Sequence, residues 1–167
     1  MIIAETERLV LRKFEQIDAT VFYQMNSNHQ VLKYTGDLPF ESIDTASLFI
    51  SKYNHYETHD YGRWSVVLKS TNKCIGWCGL KNTNEVVDIG FRFMEKYWNQ
   101  GFATESAQTA LSVGFERYGL KRIIGRCAIE NEASARVLQK VGMQQWKRDD
   151  DLYIGPIDIY QKFNESS

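Results

Sequence analysis

Hydrophobic and polar positions change period several times along the chain, and each change predicts an element. Leu9 and Leu11 alternate with Val10 and Arg12, the two-residue period of a strand, which places the first element at residues 8–14. Asp18 is expected to cap a helix running to Asn26, with Ala19, Phe22 and Met25 on one side. Gly36, Asp37 and Pro39 make residues 34–40 a loop, and Ala46, Phe49, Ile50 and Tyr53, at i, i+3, i+4 and i+7, predict a second helix. Beyond the polar stretch 54–62 the period falls to two. Residues 63–68 and 73–80 read as strands joined by the turn Lys69-Ser70-Thr71-Asn72, and after a second turn at 81–84 residues 86–94 complete a meander. This third strand is apolar and aromatic on both faces, as a central strand covered on both sides would be. Ala107, Ala110, Leu111, Gly114, Phe115 and Tyr118 then form the stripe of a long helix that stops at Gly119. A strand at 122–129, a helix opened by Asn131 and closed by Gly142, and two strands within 146–163 complete a mixed α+β order.

Composition narrows the class. The chain has 167 residues, 43% hydrophobic and 25% charged, which suits one globular domain over 1–167 and argues against disorder. With 2 prolines and 11 glycines it is not collagen-like or Pro-rich. Lys+Arg 20 against Asp+Glu 21 gives a net charge of −1, with no basic excess to suggest a nucleic-acid or membrane-surface partner. Glu5, Glu7 and Arg8 interrupt the first residues before a signal-peptide core develops, and no run approaches the ~18 apolar residues of a membrane helix. Cys74, Cys78 and Cys127 are odd in number and contain no CxxC pair, so neither a disulfide framework nor a thiolate zinc site is expected. His55 and His59 lack an evident third ligand, so no metal is expected, and the reading is of a cytoplasmic protein.

The chemically informative segment is 86–105, where a strand runs through a small-residue loop into a helix. The first amides of a helix have no intrahelical partners, and with the helix dipole they form an anion site. Small residues at Gly101 and Ala103 let a phosphate approach the backbone, so Gln100, Gly101, Phe102, Ala103 and Thr104 are candidate amide donors to a diphosphate. Neither GxxxxGK[ST] nor GxGxxG occurs. A grip by backbone alone suits carrying a cofactor more than phosphoryl transfer. A glycine loop before a helix is also the ordinary start of helices that bind nothing.

The sequence DIGFRFMEKYWNQGFATESAQTAL resembles the acyl-CoA-binding segment of the GNAT N-acetyltransferase superfamily, closest to the branch that acetylates ribosomal-protein N-termini. There a strand "E-I-G-Y/F" is followed by "YW-G-x-G-Y-A-T-E-A". AIENEASARVLQKVGM resembles that branch's "ENxxSxxVLEKxGF", ETERLVLRKF its opening "TERLxLRxx", and IGWCGL its "IGxxGL" strand, in order and with normal spacing. The resemblance implies the GNAT fold: a mostly antiparallel sheet of about seven strands, splayed in a V between the fourth and fifth, with four helices on both faces. It implies acetyl-CoA as donor, with pantetheine added as a pseudo-strand along Phe91 and Phe93 and the diphosphate on the amides of residues 100–104. Asn131 and Ser134 would contact the pantetheine or the sulfur end. Asn131 is equally a good helix N-cap, Ser134 equally a small residue at a close helix–sheet approach, and Trp98 is expected to pack beneath the loop.

Forming an amide from a thioester requires a neutral amine, a donor for the oxyanion and an acid for the departing thiolate. By the resemblance, Asp88 takes the position of the "E-I-G" glutamate and is the candidate base, directly or through water, or else a residue that stabilises the strand end. Phe93 N–H is the candidate oxyanion donor and Ser134 the candidate acid. Ile124 and Leu138 stand where many relatives carry a glutamate and a tyrosine. The expected acceptor is a protein N-terminal α-amine. The alternatives are a small-molecule amine (polyamine, aminoglycoside or amino acid) or a non-catalytic acyl-CoA-binding module. The acceptor pocket is expected from the first two helices, residues 54–63 and the C-terminal hairpin, where Glu57, Asp60, Asp149, Asp150 and Asp151 can attract a cationic amine or basic peptide. A monomer and a homodimer are both compatible with the sequence.

Overall fold

The computed structural model describes residues 1–166. Its strands are β1 (Ile2–Glu5), β2 (Leu9–Arg12), β3 (Arg63–Leu68), β4 (Lys73–Thr83), β5 (Val86–Phe93), β6 (Arg122–Ala128), β7 (Gln144–Asp151) and β8 (Gly155–Phe163). They form one 8-stranded sheet in the order β1-β2-β3-β4-β5-β6-β8-β7, antiparallel at every pairing except β5–β6. The helices are α1 (Ala19–Asn26), α2 (His29–Leu32), α3 (Ile43–Lys52), α4 (His55–His59), α5 (Phe102–Ser112) and α6 (Glu132–Lys140).

The mixed, mostly antiparallel architecture is the expected one, with additions where the sequence pattern is weak. β1 is a four-residue edge strand whose Ile-Ile-Ala-Glu has no strict alternation, and its pairing with β2 is bulged between Ile2 and Ala4. α2 and α4 bring the helices from the expected four to six. α4 lies inside the polar stretch and buries only Tyr56, so it leaves almost no hydrophobic stripe in the sequence. β4 runs on to Thr83, which pairs with Val86, so the connecting turn is Asn84-Glu85 rather than residues 81–84. Both turn residues have positive φ (51° and 69°), the geometry whose twist matches a two-residue hairpin.

Asp18 does not cap α1 with its side chain as expected. Its carboxylate turns inward, accepts two 2.8 Å bonds from the Arg12 guanidinium and one of 2.7 Å from Ser65 Oγ, and also takes the Glu15 N–H. Burial alone would raise this carboxyl, but those bonds outweigh it and hold the pKa below the ordinary value. A bidentate buried partner is worth more to Asp18 than the exposed amides of the helix end.

α5 packs on β2, β4 and β5 over the main core, which includes Leu9, Leu11, Leu80, Leu111, Ile123 and Leu138. α1 and α3 cover a second core of Phe22, Met25, Ala46 and Ile50 beside Cys74 and Trp77 of β4. Between these layers lies the feature that sets up the site. β5 has eight residues and β6 seven, yet the two are in register only at Asp88↔Ile124 and Ile89↔Gly125. Beyond Ile89 the strands part, because β6 follows β8 along its whole length, from Arg122↔Phe163 to Ala128↔Ile157. The sheet is therefore splayed in a V, between its fifth and sixth strands because β1 precedes the expected set.

Candidate active site

β5 turns an unpaired edge toward the gap. Met94 N–H bonds to Ile75 O on β4 (3.0 Å), and main-chain groups in an antiparallel ladder alternate sides, so those of Phe91 and Phe93 face the parted β6. Phe93 O is taken by Trp98 Nε1 (3.0 Å), which leaves its N–H toward the gap. Trp98, expected only to pack, thus ties the loop to the strand end.

The loop then turns through Asn99 and Gly101, both at positive φ (60° and 83°), and α5 makes its first bond from Glu105 N–H to Gly101 O (3.0 Å). The amides of Gln100, Gly101, Phe102, Ala103 and Thr104 make no hydrogen bond among the described residues. They are the orphan donors of a helix start, and glycine at 101 meets the φ requirement without strain. Phe102 is buried and anchors the loop in the core.

One carboxylate braces this loop. Glu105 Oε2 accepts from Thr6 Oγ1 (2.5 Å) and Arg8 N–H (3.2 Å), and Oε1 accepts from Arg8 Nε (2.8 Å). Arg8 Nη1 also reaches Gln100 O (2.9 Å), with the guanidinium 4.4 Å from the Phe102 ring centre. Burial would raise the Glu105 carboxyl, but the Thr6 and Arg8 bonds outweigh it and lower its pKa. The sequence motifs around Arg8 and Glu105 are read separately in one dimension; in space they are one unit.

Asp88 lies on the opposite face. Gly125 and Ile89 face α6: a Cβ on Gly125 would sit 2.9 Å from Leu138 Cδ2 and 3.5 Å from Ile89 Cγ2. By strand alternation Asp88, Gly90, Ile124 and Arg126 point to the other side. Asp88 is buried, and its Oδ1 accepts from Arg63 Nη2 (2.6 Å). Arg63 Nη1 bonds Gly79 O (2.8 Å) and Asp88 O (3.1 Å), and a Cβ on Gly90 would meet Arg63 Nη2 at 2.7 Å, so glycine makes room for the guanidinium. Arg126 Nη1 approaches Asp88 Oδ2 at 3.8 Å. Arg63 backbone N–H donates to Tyr53 Oη (2.8 Å), and Tyr56 Oη donates to Arg63 O (2.5 Å); burial pushes both phenol pKa values up. Arg63 and Arg126 were missed in the sequence. The available signal for Arg126 was a charge in the interior of the mostly apolar strand RIIGRCA; Arg63 opens β3 and gave none.

Asn131 caps α6, its Oδ1 accepting from Ser134 N–H (3.1 Å). The half-buried Ser134 hydroxyl makes no hydrogen bond among the described residues. The candidate residues thus divide between two faces: the loop amides, Phe91, Phe93, Asn131 and Ser134 with α5 and α6, and Asp88 with Arg63. The β7–β8 hairpin reaches the loop after α2, where a Cβ on Gly36 would sit 2.8 Å from Tyr153 Cβ, and Asp149, cross-strand partner of Ile157, shares the face of Ile124 and Asp88. Within the hairpin, Asp149 Oδ1 accepts from Asp150 N–H (2.8 Å) and Asp151 Oδ1 from the Tyr153 and Ile154 N–H groups (2.8 and 3.0 Å). His55 Nε2 accepts from Asn82 N–H (3.0 Å); burial, with His59 beside it, lowers its pKa.

Comparison with known proteins identifies the family. A family model described as "Acetyltransferase (GNAT) domain" matches residues 8–144. An uncharacterized N-acetyltransferase, YoaA, of Bacillus subtilis is 34% identical over 147 residues, 86% of this chain and 83% of that one. A GNAT-family acetyltransferase structure from Bacillus anthracis is 30% identical with a TM-score of 0.86, covering 99% of both chains. The fold is shared at lower identity by a ribosomal L7/L12 α-N-protein acetyltransferase in complex with coenzyme A (16%, TM-score 0.83, 100% of both chains). It is shared as well by a Vibrio cholerae spermidine N-acetyltransferase in complex with CoA and spermine (18%, TM-score 0.81, 95% of this chain and 97% of that one). The chain belongs to the GNAT acetyltransferases and is an N-acetyltransferase that uses acetyl-CoA.

Proposed function

We propose that the chain transfers the acetyl group of acetyl-CoA to a protein N-terminal α-amine, with the diphosphate on the amides of residues 100–104 and the pantetheine along Phe91 and Phe93. The observation that carries this reading is the juxtaposition of five unbonded amides at the start of α5 with the free edge of β5 at a parted strand pair. Chemistry supports the acceptor: an α-amine titrates near ~8 and a lysine near ~10.4, so the former needs less help from a base. The shared fold extends to a protein and to a spermidine acetyltransferase alike.

With the diphosphate beyond Phe93, the acetyl end extends toward the rungs where β5 and β6 converge. Phe93 N–H and Asp88 are five residues apart on an extended strand, roughly 17 Å at ~3.3 Å per residue. They cannot serve one reaction centre. We therefore assign the oxyanion to Phe91 N–H, nearer Asp88, and give Phe93 to the pantetheine. Asp88, with Oδ1 held by Arg63, orients the amine or an intervening water; Ser134, with its hydroxyl unbonded, protonates the departing thiolate from the α6 side. Orientation supplies the larger part of the rate.

The test follows thiol release from acetyl-CoA with N-terminal peptides and small amines. Peptide-dependent release that falls at least tenfold in Asp88→Asn supports the reading. Binding of CoA without release to any amine supports a non-catalytic module instead. Release with polyamines alone supports the small-molecule alternative.

A further inference from the structure

The acceptor side of the gap is cationic. On the face of β4 and β5 that carries Asp88 stand Arg63, Lys81, which is the cross-strand partner of Asp88, and Arg92; Arg126 joins them from β6. Two carboxylates engage these four cations; a third, Asp149 of β7, shares the face but forms no ion pair with them. Asp37 is engaged by Arg92 (2.7 Å), whose guanidinium lies 5.3 Å from the Trp77 ring centre and also donates to Asn26 Oδ1 (3.2 Å). Asp88 is engaged by Arg63 at 2.6 Å. Asp158, the buried acid of β8, is the cross-strand partner of Cys127 on the other face and is bonded by Arg148 and Gln145 (3.0 Å each). Arg126 is left with a 3.8 Å approach to a carboxylate that already has a closer partner. Its side chain is 42% exposed, and it stands one residue beyond Gly125, the last β6 residue in register with β5.

We infer that Arg126 binds a carboxylate of the acceptor, so that the acceptor class is a primary amine bearing a carboxylate close to the nucleophile. This deepens the proposed function and rests on it, because it presumes that the acceptor enters from the Asp88 face. The carboxylate belongs to an acidic side chain next to the peptide N-terminus; a free amino acid carries the same chemistry and is distinguished in the test. Polycations are disfavoured, since a second ammonium would meet guanidinium groups where it needs carboxylates. Arg126 is a specificity residue here, and Asp88 holds it in place.

The test compares matched acceptors: peptides with Glu or Gln at the second position, an amino acid and its amide, and spermidine. Each is assayed with the wild type, Arg126→Gln and Arg126→Lys, and CoA affinity is measured by calorimetry. The expected wild-type result is a kcat/KM at least about tenfold higher for the carboxylate member of a pair, carried by KM, as the loss of one charged hydrogen bond implies. Arg126→Gln abolishes that preference, Arg126→Lys keeps part of it, and CoA affinity stays at the wild-type value. The peptide pair and the amino-acid pair separate the two sources. Equal use of both members, a preference for spermidine, or a preference that survives Arg126→Gln overturns the inference while leaving acetyl transfer intact. If CoA binds but nothing turns over, the proposed function fails, and the inference is decided by titrating the protein–CoA complex with each pair. Arg126-dependent binding of the carboxylate member upholds it, and binding indifferent to Arg126 overturns it.

Discussion

Arg8 and Glu105 lie 97 residues apart in the chain and 2.8 Å apart in the fold, joining the approach to β2 to the first turn of α5. Through Gln100 O the same arginine steadies the loop whose amides are assigned to the diphosphate. Glu105→Ala removes the acceptor of three bonds and strands Thr6 and Arg8. The expected cost is about 1–3 kcal/mol, toward the low end because the arginine is partly exposed. It should be seen as a lower melting temperature together with a several-fold weaker CoA affinity. A variant that melts earlier but binds CoA normally would separate the brace from the cofactor loop.

Gly101 separates backbone strain from steric exclusion. Its φ of 83° makes any side chain strained, and a Cβ there meets Arg8 Nη2 at 3.2 Å. Gly101→Ala should lower stability by about 1–2 kcal/mol with a modest loss of CoA affinity. Gly101→Trp should also cover the amides and weaken CoA binding by about a hundredfold or more, as loss of two or more charged hydrogen bonds implies. Calorimetry on the folded variants checks both.

Acid should destabilise the fold in two stages. His55 has its pKa lowered in the folded state, by burial first and then by His59, so its contribution is present above the unfolded value near ~6.5 and is lost as the pH falls through the lowered folded value. Asp18 and Glu105 also have lowered values; their contribution is present above the unfolded carboxyl value near ~4 and is lost as the pH falls below it. Denaturant midpoints measured from pH 8 to pH 3 should show both steps, and His55→Gln should remove only the first.

The thiols should be quiet. Burial pushes Cys74 and Cys78 up to about 12 and Cys127 up to about 11. A disulfide reagent at pH 8 should label them slowly in the native protein and fully after denaturation, which leaves released CoA as the fast-reacting thiol in activity assays. Fast stoichiometric labelling of the native protein would contradict the burial assigned to them.

The elements with strict periodicity were legible: the alternation in β2, the stripe shared by α5 and the π-helical turn Val113–Arg117 that continues it, and the loop at Gly101. So were the residues proposed for the cofactor, since they fall in one continuous segment, residues 91–104, plus the start of α6. Position across the sheet was not legible. Asp88 and Ser134 are both discernible as polar residues in motifs, but which face each occupies follows from a β5–β6 register that no local pattern encodes. Arg63 reaches Asp88 only because β3, β4 and β5 are adjacent and Gly90 leaves room. Asp18 shows the same limit: its sequence context is that of a helix cap, and a guanidinium six residues earlier captures it instead.

The central claim, that main-chain groups at the parted edge of β5 and the start of α5 hold the donor, is tested most directly by a crystal structure with CoA. The account predicts diphosphate oxygens within hydrogen-bond reach of the amides from Gln100 to Thr104, and a pantetheine arm paired with Phe93 between β5 and β6, its thioester end at Phe91 N–H. A diphosphate seated elsewhere, or a pantetheine arm lying outside the gap, would contradict it.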